Sequence, residues 1–305
     1  MFGCPVAIIT TGYVLVGRWV QLAVACLEDC ARDLESGRKM YDGFWQRTGL
    51  IVVLPQLVHE RFLSDEECGE QEVAEAVLPP ILDFFSRPLA PSNMRVMCQG
   101  HAGTAFACRE AAEWIAGRTV DRVVVLGVDS YLDPHSVDWL DSQDRLCTES
   151  NPAGVLPGEA AAAFVLDAIS GPLATENRIK AEMHGAVTGY ETKNYLAGEL
   201  SYGEGLTVAA NELVSSTDKS DFKIRQLISD INGEVWRFHE LGSVRMRMRK
   251  QFVENPDMVC PAVSVGDVGA ASGALAVNMC VQAFERRYAQ SESIFFFSSS
   301  DRSEE

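Results

Sequence analysis

The sequence predicts a layered α/β fold with mostly parallel strands. Short β-branched runs alternate with longer helical patterns along the chain, and no low-complexity linker interrupts them. With 47% hydrophobic residues over 305 positions, there is enough apolar side chain for two core-bearing lobes that share an interface.

The elements follow in order. Residues 6–15 read as a first core strand and 20–34 as a helix. After a strand at 50–54, the capping-box pattern Ser64-Asp65-Glu66-Glu67 introduces a helix over 68–85. A strand at 95–99 leads into a helix at 103–117, whose stripe of Thr104, Cys108, Ala111, Ala112 and Ile115 suits deep burial against neighbouring helices. Strands at 122–128 and 161–166 close the first half. In the second half, strand signals lie near 181–187, 262–265 and 294–297, and helical ones near 206–214, 222–228 and 270–288. The pattern is weakest over 219–251, and the polar segment 298–305 is expected to fray.

Composition narrows the partners. An excess of 43 acidic over 26 basic residues gives a formal charge of −17, which repels nucleic-acid phosphates and anionic lipid head groups, so neither nucleic acid nor membrane is expected. The nine cysteines (4, 26, 30, 68, 98, 108, 147, 260 and 280) are an odd set in apolar segments, without the spacing of a disulfide framework or a thiolate cage. A reducing cytoplasm is the simplest setting. The opening apolar run lacks a basic segment before it, and no apolar stretch is long enough to span a bilayer.

Four stretches carry a family resemblance. Gly100-His101-Ala102-Gly103-Thr104-Ala105, Glu110-Ala111-Ala112 and the run from Asp121 to Ser130 resemble the nucleophile turn, buried helix and following strand of β-ketoacyl-ACP synthases in the thiolase superfamily. Arg145-Leu146, Asn151, Gly154 and Pro157-Gly158-Glu159 resemble the segment entering the strand that closes the first half. Asp230-Ile231-Asn232-Gly233-Glu234 sits where the family has its first catalytic histidine. Gly266-Asp267-Val268-Gly269 and the helix after it resemble the turn that carries the second. The match spans about residues 5 to 300. It implies a thiolase-like fold of two pseudo-twofold-related βαβαβαββ halves in five layers (αβαβα), here 1–170 and 171–305 in a single two-lobed unit. It also implies a homodimer, or a heterodimer with a related subunit, through the strand at 95–99.

The catalytic positions depart from the family. Ketosynthases use a cysteine thiolate at a helix N-terminus, and the matching position is His101. Imidazole can attack acyl groups, but an acyl-imidazole hydrolyses easily, and a helix N-terminus favours the neutral ring. His101 is therefore open to three readings: nucleophile; acid, base or hydrogen-bonding ligand; or structural substitute. Where the family has two histidines that hold the developing oxyanion, this chain has Asn232, which can still donate, and Asp267, which when ionised can only accept. Asp267 either caps the helix after Gly269 or meets His101 as an acid–base dyad.

Other candidates have plainer readings. Cys98 reads as a packed interior thiol, Cys26 and Cys30 as helix packing, and Glu159 as a structural hydrogen-bond acceptor. His59, His135, His184 and His239 have no metal-ligand spacing. The glycines at 266, 269 and 273 match no phosphate-binding motif and read as close helix packing, so neither metal nor cofactor is expected.

Three functions follow. The first is a pseudoenzyme acting as partner subunit, scaffold or chaperone for a protein client. Some short ketosynthase-like proteins with a Gly-His-Ala-Gly turn accompany bacterial secreted effectors, so effector loading is one version of that role. The second is an acyltransferase or thioesterase-like enzyme that takes acyl-CoA or acyl carrier protein and uses His101 in altered chemistry. The third is an acyl-thioester binder without turnover. An open tunnel to His101 favours the latter two, and a filled one the first.

Overall fold

The computed structural model describes residues 3–36, 43–62, 69–171, 179–217 and 222–301. Four strands, β1 (Thr48–Val53), β2 (Met94–Met97), β3 (Arg122–Ser130) and β4 (Glu159–Asp167), form one sheet in the order β2-β1-β3-β4. β1 pairs in parallel with both β2 and β3, whereas β4 runs antiparallel to β3. Because successive side chains point to opposite faces, each strand supplies two layers. Leu50, Val52, Leu126 and Val128 pack beneath α1 (Val16–Glu35) and α2 (Glu70–Phe85), against Trp19, Leu27, Val77 and Ile81. Ile51, Val53, Val123 and Val125 point the other way, toward α3 (Gly103–Ala116) and α7 (Ser272–Glu285), where Ala107, Ala111 and Ala274 let the helices approach closely. A further helix, α4 (Pro134–Ser142), is capped by Asp133, whose carboxylate accepts from the His135 N–H.

A second sheet has three parallel strands in the order β6-β5-β7: β5 (Ile224–Ser229), β6 (Phe252–Val259) and β7 (Phe295–Phe297). Ile224, Leu227, Phe252, Phe295 and Phe297 form its core with Ala210 of α5 (Glu204–Ser215) and Leu241, Val244 and Met248 at α6 (Val235–Arg247).

Several expectations are corrected. Residues 6–15 form no strand: Cys4 makes a single bridge to Gly158, and Ala7–Thr10 is a helical turn. There the Val6 N–H and the Thr10 hydroxyl donate to the Glu159 carboxylate, which replaces a strand partner. Where 222–228 is expected to be helical, Ile224–Ser229 is strand β5; Ala262–Val265 is a helical turn rather than strand, and 181–187 is irregular. The segment 298–301 does not fray. Its Asp301 is buried and ion-paired. The capping pattern at 64–67, Cys68, and residues 302–305 lie outside the described residues.

Candidate functional site

The site forms where two glycine turns meet. β2 ends into a single 3₁₀ turn, Gly100–Ala102, which runs directly into α3. Gly100 has φ +60°, a left-handed conformation that glycine adopts without steric penalty, and it swings His101 inward to a buried position. The second turn, Gly269–Ala271, runs in the same way into α7. Gly269, at φ +51°, leaves room for the Asp129 carboxylate at the end of β3, which accepts from the Ala270 N–H at 3.1 Å.

The three positions singled out in sequence converge. His101 Nε2 lies 2.8 Å from Asp267 Oδ1, and Asn232 Nδ2 donates to Asp267 Oδ2 at 2.6 Å. Asp267 also accepts from the Gly269 N–H at 2.8 Å, so it caps the turn and meets the histidine at once. Asn232 donates further to Glu234 Oε2 at 3.1 Å, and its own oxygen accepts from the Glu234 N–H. All three side chains are buried.

Around them lies a buried ionic network, in which three guanidinium groups face five carboxylates. Arg61 pairs with Asp129 at 2.7 Å; Arg145 with Glu234 at 2.7 Å and Asp301 at 2.8 Å; Arg237 with Asp230 at 2.9 Å and Asp301 at 2.8 Å; Asp267 is the fifth. The Arg145–Glu234 contact is bidentate, the stronger form of this pair. Segment 298–301 completes the network. The Ser298 hydroxyl and Ser299 N–H donate to Asp230, and the Ser300 hydroxyl accepts from the Ala102 N–H at 3.1 Å while donating to the Gln99 carbonyl at 2.6 Å.

Charge balance sets the protonation states. Burial would push the His101 ring below its ordinary value, but the Asp267 carboxylate outweighs it and holds the ring above, with Arg237 working the other way. Burial would raise Asp267, yet His101, Arg237 and Asn232 hold it well below the usual carboxylate range. Asp301, likewise buried, is lowered to about 2 by Arg145, Arg237 and His101. In the neutral ring, Nε2–H donates to Asp267 and Nδ1 accepts from Arg237 Nη2, 3.4 Å away. Protonation sets Nδ1–H against that guanidinium, donor to donor.

Little space remains. The cavity beside His101, lined by Gln56, Arg61, Tyr131, Trp139 and Asp301 among others, measures about 20 Å³, and another beside Asp230 and Asp267 about 10 Å³. Each suits about one water, whereas drug-sized ligands occupy pockets of roughly 300 Å³ or more. Three donors near His101 and Asp267 are already engaged: Asn232 Nδ2 with Asp267 and Glu234, Ala102 N–H with Ser300, Ala270 N–H with Asp129.

The other candidates fall elsewhere. Cys98 packs into the core beneath α1 and α2, and burial pushes the thiols of Cys26 and Cys30, on α1, up to about 12 each, so neither is a ready nucleophile. Glu159 is a structural acceptor, taking hydrogen bonds from Val6, Thr10, Ser130 and Arg18. Of the glycines expected to serve helix packing, only Gly273 does, lying against Thr104 of α3; Gly266 and Gly269 have positive φ and make the turn.

Sequence reading missed Arg237, Asp301 and the linking roles of Arg145, Asp129, Asp230 and Glu234. One signal was present. Asp129 directly follows the apolar run from Val123 to Val128, and a charge in that position demands a buried partner.

No protein-family model and no curated protein matches the chain. Solved structures do. A ketosynthase from module 6 of the bacillaene synthase of Bacillus subtilis 168 superposes with a TM-score of 0.62 at 15% identity, covering 88% of this chain and 47% of that one. A β-ketoacyl synthase from Burkholderia phymatum STM815 gives 0.58 at 16% identity, over 88% of this chain and 69% of that one. The ishigamide ketosynthase/chain length factor gives 0.59 at 13%, over 94% and 78%. The chain thus spans about half the length of the bacillaene ketosynthase. Identities this low establish architecture alone: the chain has the thiolase-like fold of the β-ketoacyl synthases.

Proposed function

We propose that this chain is a non-condensing ketosynthase-like subunit, a cytoplasmic bacterial protein that acts by binding a protein partner. The observation that carries this reading is the occupied catalytic centre. Where an acyl thioester would sit, His101, Asp267 and Asn232 bond to one another, inside an ionic network that leaves about 20 Å³ beside the ring. Claisen condensation needs a thiolate that can be acylated and donors aimed at a developing oxyanion. Here the ring is not a thiolate, and Asp267 presents negative charge at one of the two positions where donors are needed. Nor does the His101–Asp267 pair favour the acyltransferase reading, since among the described residues the cavity beside it measures only about 20 Å³.

Dimerisation fits the sheet. Among the described strands β2 is an edge of its sheet, with one side of its backbone available for pairing with a second copy or a related subunit. One similar structure is a ketosynthase/chain length factor, and another is a type II acyl-carrier protein in complex with its ketosynthase. A related subunit as partner is supported by the first.

The test is direct. Purified protein is incubated with a panel of acyl-CoA and acyl-carrier thioesters and followed by intact mass and product analysis. We expect neither covalent acylation nor turnover, and no gain from His101→Cys, because among the described residues the network leaves only about 20 Å³ beside that position. Acylation or turnover that His101→Ala abolishes would return the protein to the enzymes.

A further inference from the structure

The outer face of α6 combines exposed apolar side chains with a cationic end. Val235 is 70% exposed, Phe238 50% and Met246 76%, although all belong to a helix whose inner face, with Leu241 and Val244, is core. With 3.6 residues per turn, Val235, Phe238, Gly242, Arg245 and Met246 fall within roughly 100° of arc, and Arg249 follows in the turn just past the helix. Gly242 faces open space at the middle of that stripe and leaves a notch in it. The far end is cationic. In a chain with 43 acidic and 26 basic residues, four of the six positions from 245 to 250 are Arg or Lys. Lys223 joins them, its ammonium donating to the Lys250 carbonyl.

These cations are only partly engaged. Arg247 lies 3.8 Å from Glu204 and donates to the Tyr202 carbonyl, and Arg245 sits over the Phe252 ring at 5.9 Å. Among the described residues, Arg245, Arg249 and Lys250 have no carboxylate partner. None of these groups belongs to the buried network around His101.

We infer that this face docks an acidic amphipathic helix of a protein partner, its apolar side on Val235, Phe238 and Met246 and its acidic end over residues 245–250. Charge chooses the occupant. Screening limits the patch's reach to about 8–10 Å at physiological salt. A long polyanion or a bilayer, larger than the patch, would meet the −17 chain around it, whereas a short acidic helix would not. Helix-on-helix docking also uses an exposed stripe of this spacing. The assignment rests on the partner-subunit reading for its choice of a protein and adds the location and chemistry of the contact.

The full chain is expressed in its native host with a photo-crosslinking residue at Met246 or, as control, at Phe84, an exposed position on α2. We expect one adduct from position 246, whose cross-linked peptide carries net negative charge and an apolar stripe, and none of it from position 84. Binding of that identified partner should weaken about 10-fold in the Arg245→Glu/Arg249→Glu double variant and by a similar factor in Phe238→Asp, all folded by circular dichroism, and should fall with salt. Adducts to lipid, nucleic acid or a second copy of this chain would overturn the assignment. So would a stoichiometric partner that all the variants retain, which leaves the partner-subunit reading standing. No partner at all would sink both.

Discussion

The two glycine turns are built alike and filled differently. Each is a three-residue 3₁₀ turn that feeds a fourteen-residue helix, Gly100–Ala102 into α3 and Gly269–Ala271 into α7. A helix N-terminus attracts negative charge. The second turn receives two carboxylates: Asp267 accepts from Gly269 and Asp129 from Ala270. At the first, the Ala102 N–H meets only the neutral hydroxyl of Ser300, and a histidine stands where an anionic nucleophile would gain most. His101 then reaches across to Asp267. The turns therefore satisfy each other, whereas a condensing site must keep some of that capacity for an incoming acyl group.

The strongest way to break this closure is to remove the shared anion. Asp267→Ala deprives His101 and the Gly269 N–H of this acceptor and Asn232 of one of its two, and leaves Arg237 in a depleted field. Removing one member of a buried charged pair destabilises by about 3–5 kcal/mol. Urea unfolding should show a loss of that order, with Asp267→Asn losing less because it keeps one acceptor oxygen. A loss under about 1 kcal/mol would mean that the network is not holding the turns together.

How much of this was legible differs between the halves. In the first, strands and helices alternate with clean signals, and β1, β3, α1 and α3 lie close to where periodicity puts them. In the second, Ile224, Leu227 and Ile228 space like a helical stripe, yet β5 is the central strand of its sheet and buried at all but one position, which suppresses the alternation that marks a strand. Residues 262–265 are short and β-branched, and a single helical turn can look the same. His101, Asn232 and Asp267 could be found because their neighbours carry motif glycines. Asp301 could not, since a polar run of Ser and Asp reads as solvated until three-dimensional structure sets Arg145 and Arg237 beside it.

The next effect is set by pH. Asp301 is lowered from 3.8 to about 2, so its contribution is present above pH 3.8 and is lost as pH falls through about 2; Asp267, also depressed, acts with the same sign. His101 is raised above 6.5, so its contribution is full below 6.5 and is lost as pH rises through the folded-state value. Glu240, raised by burial, works against the acid loss. Stability should therefore decline toward acid, with Asp301 alone accounting for about 2 kcal/mol, and decline less from neutral toward alkaline pH. Urea midpoints from pH 2 to 9 test both limbs. Asp301→Asn should flatten the acid limb and His101→Asn the alkaline one; an unchanged profile in either variant would remove that residue from the account.

The smallest effect separates the two turns most cleanly. Ser300→Ala removes the hydroxyl that accepts from Ala102 and donates to the Gln99 carbonyl, leaving the first turn without its cap and the second untouched. Two neutral hydrogen bonds are at stake, each worth about 1 kcal/mol net, so a loss of about 1–2 kcal/mol is expected. Amide hydrogen exchange supplies the readout that a general loss of stability would not: protection should fall at Ala102 and the first turn of α3 and persist at Gly269 and Ala270. Equal loss at both turns would show that they open as one unit. The hydroxyl would then matter through the whole network rather than through the turn it caps.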